Sequence, residues 1–204
     1  MSLHVKICGV TDSGAAMAAC DAGADAVGFV FADSVRRVDP RDAAGIAAGM
    51  PGRVQRVAVF LRPEPDHVAR ILSEFPADVV QVDYGVITRP EVPLFLPVFR
   101  EGDDEILDEF LNGTVARRFH YEGRKSGSGQ TVDWGRAARY ASRGQMTIAG
   151  GLSPTNVARA VRVVKPFGVD VSSGVESAPG VKDAGRIRDF IETVRHIEKE
   201  SVTT

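Results

Sequence analysis

Cysteine, excess charge and long apolar stretches are all scarce in this sequence. Only two cysteines, Cys8 and Cys20, occur among 204 residues, which excludes a disulfide-held secreted scaffold and fits a reducing compartment. The net charge is −2 and no basic stripe stands out, so nucleic acid is not an expected partner. No apolar run approaches the ~20 residues of a membrane span, and we see no signal peptide before the first strand-like segment. We therefore expect a cytoplasmic protein that binds neither nucleic acid nor membrane.

Eight short β-type segments alternate with amphipathic helical patterns along the chain. Several of these segments are almost entirely apolar, as is typical of parallel strands buried on both faces. The predicted strands are Val5–Cys8, Ala26–Phe31, Val54–Leu61, Val79–Val82, Leu94–Phe99, Val115–Tyr121, Met146–Ala149 and Gly168–Val171. Strands that alternate with helices indicate βαβ units and a parallel sheet. Eight such units in a single domain, residues 1–204, predict an α/β fold of the (β/α)8 TIM-barrel class.

Helix ends are marked at three points. Asp39-Pro40 and Ser153-Pro154 each offer an N-cap residue followed by proline, which favours the first helical position. Gly23 is a predicted C-cap glycine at the end of the first helix.

The connection after the fourth strand lacks a helical pattern. Pro90 and Pro93 lie in this short segment and leave little room for a helix. We predict that the helix after strand four is shortened or missing, with a loop or a single turn in its place. Such a gap would expose apolar barrel surface, which the loop, a neighbouring helix or a partner subunit must cover.

Candidate acid and base residues lie on the first and sixth strands. Cys8 ends the first strand at the carboxyl rim, where catalytic residues of such barrels are found. Its thiol suits a base if nearby positive charge favours the thiolate, and otherwise is a small buried hydrophobe. On the sixth strand Arg118, His120 and Glu122 share one face, predicted to point into the barrel, with aromatic residues on the other face. They are either acid–base groups or a satisfied polar layer.

Anion-binding candidates follow the strands of the second half. Glycine-bearing segments follow the last three strands, at Gly127–Gly129, Ala149–Gly151 and Ser172–Gly174. Loops after strands seven and eight of such barrels often bind phosphate through backbone N–H groups, although the same glycines suit tight turns. After the second strand, Arg36-Arg37 is either a carboxylate-binding pair or a solvated one.

Six segments, in order along almost the whole chain, carry a resemblance to a known family. They are Lys6–Thr11, Gly23–Phe31, Ser34–Arg37, Gly127–Trp134, Ala149–Val157 and Val169–Glu176, followed by Pro179-Gly180 and Lys182-Asp183. Together they resemble phosphoribosylanthranilate isomerase of tryptophan biosynthesis. The resemblance implies an Amadori rearrangement of N-(5′-phosphoribosyl)anthranilate to 1-(2-carboxyphenylamino)-1-deoxyribulose 5-phosphate, with no cofactor and no metal, in a cytoplasmic monomer or homodimer.

The resemblance also implies roles for individual residues. Cys8 corresponds to the general base, and Arg36 to the residue that holds the anthranilate carboxylate. Asp170 lines the pocket near the substrate. The phosphate contacts are expected from Gly150, Gly151, Ser172, Ser173 and Gly174.

Two positions depart from the family pattern. The family usually has Asp as the general acid at the end of strand six, where this chain has Glu122. To act as the acid Glu122 must be protonated, so we expect no close cation, and His120 is the rival candidate. Strand four of the family usually ends in Gln-Leu-His-Gly, where this chain has Gln81 followed by Val82, Asp83 and Tyr84.

Two other functions remain compatible with the sequence. One is a relaxed isomerase that also acts on the phosphoribosylated carboxamide of histidine synthesis, which carries two phosphates; only strands seven and eight show a phosphate pattern. The other is a non-catalytic phosphosugar-binding barrel derived from the isomerase. Intact Cys8, Arg36 and both phosphate loops argue against the second.

Overall fold

Eight parallel strands close into a barrel. The computed structural model describes residues 2–86, 94–113, 118–125, 127 and 129–202. The barrel strands are β1 (His4–Cys8), β2 (Ala26–Val30), β3 (Gln55–Val59), β4 (Val79–Asp83), β5 (Leu94–Arg100), β6 (Arg118–Glu122), β7 (Gln145–Ile148) and β8 (Gly168–Val171). Each pairs with the next, and β1 pairs with β8 to close the ring. The predicted (β/α)8 barrel is confirmed.

Seven helices surround the strands in the described part of the chain. They are α1 (Ser13–Ala22), α2 (Pro40–Ala48), α3 (Pro65–Glu74), α4 (Asp104–Asn112), α5 (Trp134–Ala141), α6 (Val157–Val164) and α7 (Ala184–Val202). A 3-10 turn (Ser173–Val175) and a small hairpin of β9 (Glu176–Ala178) and β10 (Val181–Lys182) follow β8. Within the described residues, no helix has the length and apolar character that crossing a membrane requires.

Two of the three predicted helix ends are confirmed. The Asp39 side chain accepts a hydrogen bond from the Arg41 backbone N–H at the start of α2. Gly23 ends α1 with φ of 94°, a left-handed conformation that glycine adopts without steric cost. The prediction at Ser153-Pro154 is wrong, because α6 begins at Val157 and Asn156 is its N-cap. Asn156 instead braces the preceding turn, since its amide donates to the Gly151 carbonyl and its Oδ1 accepts from the Ser153 N–H.

The connection after β4 contains no helix among its described residues. Residues 84–86 form a turn, and Pro90 and Pro93 lie outside the described residues. Tyr84 in this turn stacks on Phe99 of β5, with ring centroids 4.7 Å apart, and meets Phe110 of α4 edge-on at 5.4 Å. The turn and the neighbouring helix therefore cover part of the surface that a helix after β4 would otherwise bury.

Alternation along β6 separates the outer core from the barrel interior. Phe119 and Tyr121 point outward, with their rings 6.1 Å and 5.8 Å from Phe110 and Tyr140 respectively. His120 is fully buried on the inner face, as predicted. The interior also holds a small apolar cluster, comprising Cys8, Ala26, Val57, Val59, Val79 and Leu96.

Candidate active site

A cavity opens at the carboxyl ends of the strands. Its walls include strand-end residues from β1, β4, β6 and β8, the loop after β2, and the loops after β7 and β8. The sequence-predicted residues that line it are Cys8, Arg36, Glu122, Gly150, Gly151, Asp170, Ser172 and Ser173. Gly174 is not part of this lining. The structure thus brings nearly all the predicted site residues to one cavity.

The thiol of Cys8 lies at the cavity wall and is almost buried. The residue is only 8 % exposed. A Cβ added to Gly28 on the neighbouring strand would lie 3.0 Å from Cys8 Sγ and 3.1 Å from Lys6 Cε, so the missing side chain makes room for both. Burial raises the pKa of the Cys8 thiol, while the Lys6 ammonium acts in the opposite direction. Lys6 thus supplies the nearby positive charge that a thiolate requires, but burial outweighs it.

A charged layer lies beneath this thiol. Lys6 Nζ donates to Asp170 Oδ2 at 2.9 Å, and both side chains are almost fully buried. Burial works against the ammonium, but Asp170 raises the pKa of Lys6 to about 12. The second oxygen, Asp170 Oδ1, has no hydrogen-bond partner among the described residues. Asp170 therefore binds Lys6 with one oxygen, and its other oxygen is a buried acceptor with no partner among the described residues.

His120 belongs to this layer. Its Nε2 lies 3.5 Å from Asp170 Oδ2, and the residue is fully buried. Burial lowers the pKa of His120 to about 4, so the imidazole is neutral near pH 7. This location places His120 below the described lining of the cavity, but neither ring nitrogen has a hydrogen-bond partner among the described residues, so His120 is not part of a satisfied polar layer.

Arg36 is held rigidly instead of being solvated. Its Nε and Nη2 donate to the two carboxylate oxygens of Glu176 at 2.7 Å and 2.9 Å. Lys182 Nζ donates to the same carboxylate at 2.6 Å. Although burial opposes ionisation, these hydrogen bonds lower the pKa of Glu176 to about 2. Glu176 and Lys182 belong to the segments that carry the family resemblance, but the sequence analysis assigned neither of them a role; the signal available was an acid and a base on the predicted rim loop after strand eight.

Glycines in the rim loops allow the backbones of neighbouring loops to approach closely. Gly150 and Gly151 both have positive φ, 89° and 60°. A Cβ at Gly151 would lie 2.6 Å from the Gly129 carbonyl oxygen, and a Cβ at Gly174 only 1.9 Å from the Leu152 carbonyl oxygen. Gly151 and Gly174 therefore let adjacent loops pack backbone against backbone. Gly127 and Gly129 also have positive φ, while Ser128 between them lies outside the described residues.

Glu122 has a cation directly beside it, so the expectation of no close cation is wrong. Arg100 Nη1 at the end of β5 lies 2.7 Å from Glu122 Oε1. The same guanidinium contacts Asp83 Oδ1 at 2.7 Å and Oδ2 at 3.3 Å. Burial opposes the charge, but hydrogen bonds to Asp83 and Glu122 raise the pKa of Arg100. The sequence did not reveal this contact because the predicted fifth strand stops one residue before Arg100.

Comparison with known proteins is consistent over nearly the whole chain. The family model for N-(5′-phosphoribosyl)anthranilate (PRA) isomerase matches residues 5–193. The N-(5′-phosphoribosyl)anthranilate isomerase of Geobacter sulfurreducens is 42 % identical over 201 residues, covering 93 % of this chain and 97 % of the relative. The protein of the same name from Paracoccus denitrificans is 40 % identical over 208 residues, covering 94 % and 96 %.

Solved structures give the same result. Phosphoribosylanthranilate isomerase from Thermotoga maritima superposes with a TM-score of 0.82 at 32 % identity, covering 95 % of this chain and 99 % of that one. A phosphoribosylanthranilate isomerase in complex with reduced 1-(o-carboxyphenylamino)-1-deoxyribulose 5-phosphate superposes with a TM-score of 0.79 at 34 % identity, with the same coverage. The chain belongs to the N-(5′-phosphoribosyl)anthranilate isomerase family.

Proposed function

We propose that this chain isomerises N-(5′-phosphoribosyl)anthranilate by general acid–base catalysis, with Cys8 as the base and Glu122 as the acid. The observation that carries the proposal is a rim cavity in which a thiol, a carboxylate, a fixed guanidinium and two loops after β7 and β8 meet. The substrate is inferred from family membership, and the cavity contains a suitable residue for each step of the reaction.

The reaction breaks one ring bond, uses one acid step and one base step, and ends in a tautomerisation. The acid protonates the furanose ring oxygen, the C1′–O bond breaks, and the nitrogen lone pair forms the C1′=N iminium. The base then removes the proton from C2′, and the electron pair of that C–H bond gives the enolamine. Tautomerisation places a proton on C1′ and leaves the ketone at C2′. The acid must therefore begin protonated and the base deprotonated.

The remaining lining residues bind and orient the substrate in this proposal. Glu176 engages Nε and Nη2 of Arg36, so Nη1 is the nitrogen directed to the anthranilate carboxylate. Asp170 lines the pocket near the substrate. The phosphate binds along the loops after β7 and β8, through backbone N–H groups that glycines allow a ligand to approach closely.

The ion pair between Arg100 and Glu122 favours a second candidate function. A carboxylate paired with a guanidinium at 2.7 Å is a poor proton donor, so a non-catalytic phosphosugar-binding barrel is the alternative. The two functions differ in turnover and not in binding.

A turnover assay separates the candidates. Purified protein is mixed with chemically generated N-(5′-phosphoribosyl)anthranilate, and its loss is followed by the fluorescence of the anthranilate group. We expect enzymatic conversion without any added cofactor, abolished when Cys8 and Glu122 are both replaced. Binding of the reduced product analogue without turnover would support the binding barrel. Turnover of the histidine-pathway substrate in parallel would identify the relaxed isomerase.

We place this reaction in the cytoplasm, in a monomer or homodimer. One Thermotoga maritima structure is described as monomers generated from a dimeric phosphoribosylanthranilate isomerase, which supports dimers within the family. Light scattering of the purified chain distinguishes the two states.

A further inference from the structure

The two departures from the family pattern meet at one guanidinium. Asp83 ends β4, Glu122 ends β6, and Arg100 ends the strand between them. Arg100 is paired in register with Glu122 on the adjacent strand. It lies 2.7 Å from each carboxylate, and the three side chains are only 12–16 % exposed. The unusual residues at the ends of strands four and six therefore form one structural unit.

The charges of this unit do not balance when both carboxylates are ionised. With both carboxylates ionised, two negative charges face one positive charge. A proton on Glu122 makes the unit neutral, while the bidentate contact between Arg100 and Asp83 stays intact. Without Asp83, the guanidinium would interact with Glu122 alone and would hold that carboxylate in its ionised form. Asp83 therefore offsets part of the positive charge that Glu122 meets.

Other charged groups of the described residues lie around this unit, and Arg124 and Lys125 line a second cavity together with Asp83 and Arg100. His120, one layer below on the same face of β6, is neutral near pH 7. The Glu101 carboxylate on the loop after β5 accepts a hydrogen bond from the Asp133 backbone N–H. Arg62 Nε lies 3.9 Å from Asp83 in an exposed side chain, where solvent screens its charge. The remaining charged or titratable residues that line the cavity are Cys8, Asp33, Arg36, Lys125 and Asp170.

We propose that Arg100 is a positioning residue that fixes the Glu122 carboxylate at the cavity, and that Asp83 shares the charge of Arg100 so that Glu122 can take up its proton there. The proposal rests on the proposed function, in which Glu122 is the acid. Neither Arg100 nor Asp83 reacts with substrate. They act through the location and protonation of Glu122, and Arg100 thereby couples two residues that each differ from the family pattern.

The test compares pH profiles of kcat for the wild type, Arg100→Met, Arg100→Lys and Asp83→Asn. Because protonated Glu122 is the active form, activity falls as pH rises through its titration. Asp83→Asn removes a negative charge, so the alkaline limb of kcat moves to lower pH. Arg100→Met removes the cation, so the limb moves to higher pH, and kcat falls by roughly tenfold to a hundredfold from lost positioning, a loss smaller than that of the acid itself. Arg100→Lys recovers part of that kcat.

A matched control exists at the other end of the barrel. Arg56 forms a comparable bidentate pair with Asp78, at 2.9 Å and 2.7 Å, remote from the cavity lining. Arg56→Met is expected to leave kcat and its pH profile unchanged, and all variants with Arg100 retained are expected to keep a near-normal affinity for the reduced product analogue. If Arg100→Met fails to fold, Asp83→Asn alone decides, because it retains Arg100 and a hydrogen-bonding amide.

The outcomes separate this inference from the proposed function. Turnover by the wild type with an unchanged pH profile in both Asp83→Asn and Arg100→Met overturns the inference and leaves the function standing. Shifts of the alkaline limb in the same direction in Asp83→Asn and Arg100→Met also overturn it. Absence of turnover in the wild type overturns the proposed function first, and this inference with it. Opposite shifts, with partial rescue by lysine, support the inference.

Discussion

Cys8 combines a buried thiol with a buried ammonium close by. Replacing Cys8 with Ala removes the base, so we expect kcat to fall by ~10²–10⁴, the usual contribution of a general base. Folding should be retained, since the thiol lies at the cavity wall where a smaller side chain leaves space continuous with the opening. Steady-state kinetics and thermal unfolding of Cys8→Ala test both parts. Near-normal kcat in this variant would eliminate Cys8 as the base.

The same thiol predicts a pH dependence. Burial raises the pKa of Cys8, and the thiolate is the active form. The thiolate fraction therefore grows as pH rises, while the protonated fraction of Glu122 falls. In Glu122→Gln the second effect is absent, so the residual kcat/KM should increase from pH 6 to pH 8. A flat profile in Glu122→Gln would contradict the assignment of Cys8 as the base.

Glu176 predicts an effect on substrate binding through Arg36. Glu176→Gln removes the charge that fixes the guanidinium in place and leaves Lys182 with a neutral partner. We expect KM to rise about tenfold, equivalent to about 1.4 kcal/mol, with a smaller change in kcat. Glu74→Gln is a matched control, because Glu74 binds Arg41, an exposed arginine remote from the cavity. An unchanged KM in Glu176→Gln would remove Glu176 from the binding of substrate.

The location of a site residue was predictable where it depends on one strand. It was not predictable where it depends on a contact between two strands or loops. The location of Cys8 and Glu122 at the cavity was predicted correctly, because the parallel barrel brings strand ends to one rim. Arg100 and Glu176 were missed because their roles depend on partners 17 and 140 residues away in sequence. Register across strands and hairpin placement decide such contacts, and hydrophobic periodicity carries no information about either.

Element boundaries were also predicted correctly where the local sequence determines them, and wrongly where a contact outside the local pattern determines them. The predicted and observed limits agree at Gly168–Val171 and differ by one residue at the end of β4. The start of α6 was predicted wrongly because Ser153-Pro154 has the local chemistry of a helix start. Its backbone instead enters a turn braced by Asn156 and the Gly151 carbonyl, an interaction that the dipeptide alone does not encode.

The packing of the loops after β6 and β7 gives a prediction at the scale of elements. Gly151→Ala would place a methyl group 2.6 Å from the backbone of residues 129 and 131, so the two loops must separate. Gly23→Ala is the control: Gly23 also has positive φ, but its added Cβ would meet no atom of the described residues within 4 Å. Both variants should lose the ~1–2 kcal/mol of a left-handed non-glycine residue.

Only Gly151→Ala should also raise KM, since the loop after β7 lines the cavity. Urea unfolding and steady-state kinetics on the two variants measure the two effects separately. Equal KM values for Gly151→Ala and Gly23→Ala would show that the packing of these loops does not affect the substrate.

The gap after β4 affects the stability of the whole molecule. Tyr84 covers Phe99 where a helix would otherwise pack, and 43 % of Tyr84 is exposed. Tyr84→Ala should lower the free energy of unfolding by about 1–2 kcal/mol through the lost aromatic contact without altering kcat. Ile106→Ala, at a similarly exposed apolar residue of α4, should cost less. Urea denaturation that gives equal losses for the two would show that Tyr84 does not protect the barrel.

Closure of the ring by β1 and β8 determines when the fold can become complete during synthesis. The buried ion pair across that seam joins Lys6 and Asp170, which are 164 residues apart. At about 5–20 residues per second, the first strand waits on the order of 10–30 s for the residues that complete its pairing. During that time its open edge is available to other chains. The nascent barrel is therefore most exposed to aggregation before β8 emerges, and the same seam that joins the ends of the sheet also brings Asp170 to the thiol.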